Sequence, residues 1–83
     1  MGRGRRRIVT VVWDDAHGAN VGWDEWDPKE HRARKILSVG IVLKDDAHGI
    51  SLAQNMDRHA RKFDHVIFIP QACIVEVTDV TPR

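Results

Sequence analysis

The chain has a single cysteine, no tyrosine, three prolines and no long apolar run. With Cys73 alone, no disulfide can form within the chain, which fits a reducing, cytoplasmic setting. No stretch approaches the ~20 apolar residues that cross a bilayer, so a membrane is not expected as a partner. The basic N-terminus lacks the apolar segment of a secretory signal. Catalytic signatures are missing too. There is no nucleophile elbow, no phosphate-binding glycine loop and no HExxH, and none of the five histidines stands in a context that marks an acid, base or nucleophile. The chain therefore reads as a non-enzyme with no cofactor, and Cys73 as a small hydrophobe inside a predicted strand.

What is present is the composition of an ordinary globular domain: 83 residues, 42% hydrophobic and 30% charged. A chain of this length buries roughly 60 to 65% of its unfolded surface, a modest stability margin that self-association would widen. Charge is unevenly spread. Arg3, Arg5, Arg6 and Arg7 concentrate four cations, while residues 8–83 hold nine basic and twelve acidic side chains, net −3. Residues 1–7 thus read as a flexible basic arm, residues 8–80 as one small domain and residues 81–83 as a tail.

Five strands are expected. Residues 8–14, IVTVVWD, are β-branched and aromatic, with Val9, Val11 and Trp13 on one face. A loop marked by Gly18, Asn20 and Gly22 follows. Asp27-Pro28-Lys29-Glu30 then has the form of a helix start, with Asp27 as cap and Pro28 at the first helical position, and predicts a short outer helix to about Lys35. In residues 37–53, LSVGIVLKDDAHGISLA, the alternation places Leu37, Val39, Ile41 and Leu43 inward, and the Asp- and Gly-rich turn over residues 44–49 reverses the chain. Residues 55–64 fit either a helix, through Met56, Ala60 and Phe63, or a long loop. The strand 65–69 stops at Pro70, and residues 73–80 form the last strand, with Cys73, Val75 and Val77 on one face.

Five short strands with one long early connection predict a mainly β fold: a small, strongly bent, five-stranded antiparallel barrel with one short helix between its first two strands. Ser38-Val39-Gly40, Asp45-Asp46, residues 49–53 and VIFIPQACI over residues 66–74 resemble the Sm-like proteins. Gly22-Trp23, Ser38-Val39-Gly40 and Ile69-Pro70 also resemble small proteins of phages and prophages that carry GW, SVG and IP elements. The resemblance implies a barrel that joins edge strands with its copies into a homo-oligomeric ring and binds single-stranded RNA. Sm-like proteins carry a basic residue and Gly in the last turn and an Asn after the Asp turn. Here Ile69-Pro70-Gln71 and Gly49 stand instead, and no ligand residue carries over.

The cationic side chains left to meet nucleic acid are Arg3, Arg5, Arg6 and Arg7 of the arm and Arg58, Arg61 and Lys62 of the later segment. The alternative is a protein-interaction module that uses Trp23, Trp26 and the acidic turns, although a Trp beside a strand more often covers a core edge. Asp-Asp-Ala-His-Gly occurs twice, at residues 14–18 and 45–49. Asp15 with His17 and Asp46 with His48 are two-ligand pairs, too few for a metal site without further donors, so a repeated turn is expected rather than bound metal.

Overall fold

The computed structural model describes residues 6–16, 23 and 25–83. Five strands, β1 (Ile8–Asp15), β2 (Arg34–Asp46), β3 (Gly49–Asp57), β4 (Lys62–Pro70) and β5 (Ile74–Asp79), form one antiparallel sheet in the order β4-β3-β2-β1-β5. The sheet is not closed, since β4 and β5 are its two edges. The 37–53 hairpin supplies its middle: β2 reverses into β3 through Ala47 and His48, with the Asp46 carboxylate accepting the His48 amide at 2.8 Å.

The helix expected after Asp27 is one 3-10 turn, Pro28–Glu30, capped as read, with the Asp27 carboxylate accepting the Lys29 amide at 3.0 Å. It ends early because a polar helix of one turn is marginal by itself, whereas the next residues find a partner strand. Asp15 faces Arg34 and Asp14 faces Lys35 in the β1–β2 register, and Lys35 Nζ reaches Asp14 at 2.6 Å. Residues 55–64 are neither helix nor long loop. Met56 and Phe63 oppose each other across the β3–β4 ladder, and the reversal takes only residues 58–61.

The core gathers Val9 and Val11 of β1, Ile50 and Leu52 of β3 and Ile69 of β4, with Trp13, Val42, Cys73 and Ile74 packed around them. This reverses the expected faces of β2. Val9 opposes Gly40, Val11 opposes Ser38 and Trp13 opposes Ile36, so the core side of β2 carries Ile36, Ser38, Gly40 and Val42. Leu37 and Val39 point away, 65% and 53% exposed. The physical reason is closeness. A Cβ on Gly40 would lie 2.9 Å from the Leu52 Cβ and 3.0 Å from the Ala53 carbonyl oxygen, so only a residue without a side chain fits there. Ser38 sits under Trp13, whose indole N–H donates to its hydroxyl at 3.0 Å, so neither polar group is left unpaired. Beyond Val42 the register slips by one residue at Leu43, a bulge that bends the strand.

The turn after β4 is a 3-10 turn, Gln71–Cys73, so Cys73 precedes the last strand rather than lying in it. It is half-buried against the core. Val75 and Val77, read together with Cys73 on one face of the last strand, are exposed on the edge strand β5. The face assignment of β2 has a direct test in urea denaturation. Gly40→Val should cost about 1–3 kcal/mol through overpacking, whereas Leu37→Ser should stay within about 0.5 kcal/mol as a surface change. The opposite order would restore the alternation read from the sequence.

Candidate nucleic-acid interface

The tip of the β3–β4 hairpin is built by one carboxylate. Asp57 accepts the amides of His59 and Ala60, each at 3.0 Å, and its carbonyl accepts the Arg61 amide at 2.8 Å. With its donors thus satisfied, the turn closes without glycine, although Arg61 is forced to φ 56°. Arg58, His59, Arg61 and Lys62 all stand exposed around it. The sequence placed Arg58, Arg61 and Lys62 in one basic segment, and the reversal gathers them at one end of a hairpin.

The arm residues divide. Arg7 is tied into the sheet: its carbonyl accepts the Val42 amide at 2.9 Å and its guanidinium pairs with Asp45 at 3.0 Å, leaving it half-exposed. Arg6 does something else. Its guanidinium lies over the Phe63 ring, 5.2 Å from the centroid, and donates to the Val42 carbonyl at 3.2 Å. Phe63 follows Lys62 directly, so this contact ties the start of β1 to the cationic hairpin. Sequence reasoning missed Phe63. An aromatic beside three cations was the available signal, but its pairing with Arg6, far away in the chain, belongs to the bend of the sheet. Arg3 and Arg5 lie outside the described residues.

Trp23 and Trp26 do not cover a core edge. Trp23 is fully exposed, and Trp26 is exposed with its ring set edge-on to the His31 ring, centroids 6.1 Å apart at 89°. Trp13, inside β1, takes the core-edge place instead. The second Asp-Asp-Ala-His-Gly copy is the β2–β3 turn, closed by the Asp46 bond to the His48 amide. Gly49 has φ 151°, and a Cβ there would collide with the Ile69 carbonyl oxygen. In the first copy Asp14 pairs with Lys35, while His17 and Gly18 lie outside the described residues. Among the described residues no three His, Cys, Asp or Glu side chains group as metal ligands. No helix among them is long and apolar enough to cross a membrane.

Below the tip, Asp64 and His65 form an exposed pair, with His65 Nδ1 2.7 Å from the Asp64 carboxylate. That hydrogen bond holds the Asp64 carboxyl below its ordinary value, helped by the His65 charge and by the Asn55 amide at 3.3 Å. His65 itself sits at φ 53°, a conformation unusual within a strand.

No family model matches the sequence, and no solved structure matches it. The chain is similar to an E3 ubiquitin ligase BIG BROTHER-related of Arabidopsis thaliana, 24% identical over 72 residues that cover 83% of this chain and 21% of that protein. The chain thus spans about a fifth of the length of the curated relative it matches. A likeness of this extent carries no ligase chemistry to this chain.

The Asp64 contact sets a pH response with a definite sign. A carboxyl lowered in the folded state adds stability above its ordinary value of 3.8, and this is lost as pH falls through the lowered value. In a carbon-detected NMR titration the Asp64 midpoint should lie below 3.8, and in His65→Ala it should move back toward that value. An Asp64 midpoint indifferent to His65→Ala would assign the shift to another cause.

Proposed function

We propose that this chain is a non-catalytic Sm-like β-barrel module that associates with copies of itself and contacts single-stranded RNA. The observation that carries the nucleic-acid reading is Arg6 stacked on Phe63 beside Arg58, Arg61 and Lys62. Single strands are held by cations that track the phosphates and by flat groups against which bases stack, and this end of the hairpin offers both. Arg3 and Arg5 precede Arg6 and extend the same charge. Because the rest of the domain is net acidic, binding would be confined to this end and would orient the strand there.

Self-association is supported by the two ends of the sheet. β4 and β5 each have a neighbour on one side only among the described residues, and they expose Val66 and Phe68 on one edge and Val75 and Val77 on the other. An antiparallel contact between β4 of one copy and β5 of the next would cover both edges and repeat head to tail, which closes into a ring when the rotation permits. Each added copy would contribute another cationic hairpin. A second reading, a protein-interaction module, rests on the exposure of Trp23 and Trp26, since exposed tryptophans are frequent anchors of protein contacts.

Anisotropy titrations with a fluorescent uridine oligomer test the first reading. Replacing Arg58, Arg61 and Lys62 together by Gln should weaken binding and flatten the salt dependence of log K by about 2, near 0.7 for each lost phosphate contact. Phe63→Leu should cost about 1–3 kcal/mol through the lost stacking face. Failure of the intact protein to bind at low salt would transfer the proposal to the tryptophan surface. Light scattering at micromolar concentration and physiological salt should give a homo-oligomer, and a monomer would overturn the assembly.

A further inference from the structure

We propose a second binding site, independent of the nucleic-acid reading: the cleft beside the first half of β2 takes an extended peptide as an added strand. The cleft measures about 510 Å³ and lies between Leu37 and Val39 on one side and Gln54, His65 and Val66 on the other. It exists because β2 changes neighbours along its length. The ladder between β2 and β3 begins only at Ile41 opposite Ala53, although β2 starts at Arg34 and β3 continues to Asp57. Over its first half β2 is paired with β1 alone.

The alternation of an antiparallel ladder fixes which backbone groups are left over. The Val42 amide donates to the Arg7 carbonyl, so residues 36, 38 and 40 also direct their N–H and C=O groups at β1. Lys35, Leu37 and Val39 direct theirs the opposite way, into the cleft, where no strand among the described residues meets them. These groups repeat every two residues, about 6.8 Å along the strand, which is the spacing that another extended chain presents. Nucleotides have no such ladder of alternating amides and carbonyls, so the backbone itself selects a peptide.

Side chains narrow the choice. Leu37, Val39 and Val66 give the cleft apolar walls, which favour apolar residues at alternate positions of the guest. Arg34 stands exposed where β2 begins and forms no ion pair among the described residues. A peptide running antiparallel to β2 brings its C-terminal end to Arg34, so an acidic residue there completes the match. The guest is thus an extended segment of another protein, apolar at alternate positions and acidic at its C-terminal end.

Amide hydrogen exchange on the intact protein tests the site, with a synthetic peptide of alternating valine and threonine ending in glutamate as the probe. The Leu37 and Val39 amides should exchange faster than those of Ser38 and Gly40 in the free protein, and the peptide should slow both by at least about tenfold. N-methylation of alternate peptide amides on the edge facing β2 should abolish that protection, while methylation of the other edge should preserve it. Arg34→Glu should weaken the glutamate-ended peptide and strengthen a lysine-ended one. Unchanged exchange at Leu37 and Val39, protection confined to β4 or β5, or an equal effect of the two methylated peptides would overturn the proposal. Protection by a uridine oligomer but not by the peptide would also overturn it and assign the cleft to nucleic acid.

Discussion

The approach of β3 to β2 at Gly40 is the constraint on which the rest of the structure depends. Leu52 and the Ala53 carbonyl occupy the space that any side chain at residue 40 would need. That contact presses Leu52 against the core side of β2 and sets it beside Val9, which faces Gly40 from the other neighbour. A strand with a glycine at this point can serve two neighbours at close range, at the cost of carrying little apolar surface of its own inward. The core is therefore supplied from β1, β3 and β4, and β2 acts as the spacer between them.

Two consequences follow from that arrangement. Two apolar side chains of β2, Leu37 and Val39, are directed outward, and with Val66 and Phe68 they give this small domain much uncovered hydrophobic surface. The second is the bend. Pairing with β3 starts at Ile41 and a bulge follows at Leu43, so the far half of the β3–β4 hairpin leaves β2 and brings Phe63 to the Arg6 guanidinium. One set of contacts thus produces both the open cleft beside β2 and the meeting of the two basic segments.

Electrostatics sorts the cations into those used by the fold and those left for a ligand. Arg7 and Lys35 are engaged by Asp45 and Asp14, the first pair joining the residue before β1 to β2 and the second spanning β1 and β2. Such exposed pairs add little to stability, on the order of 0–1 kcal/mol, but they withdraw charge from the surface. At the hairpin tip the Asp57 carboxylate is occupied by backbone amides, and among the described residues Arg58, Arg61 and Lys62 form no ion pair. At the other end of the sheet Asp79 accepts from the Thr81 hydroxyl and amide, which hold its carboxyl below the ordinary range.

The sequence by itself determined the number and order of the strands along the chain, the grouping of Val9, Val11 and Trp13 on one face of β1, the Asp46 turn and the Asp27 cap, because each of these is set by residues within a few positions of one another. It also located the cationic segments and their charge. Tertiary structure decided the inward face of β2, since alternation in Leu37, Val39 and Ile41 reports only that one face is apolar, while the space beside Leu52 dictates which face can approach. It likewise decided that Arg34 begins a strand instead of ending a helix, because Asp14 and Asp15 lie twenty residues away in the chain and opposite in the sheet. The Arg6–Phe63 stack and the free edge at Leu37 and Val39 both depend on where β3 parts from β2, and no local pattern of residues encodes that point.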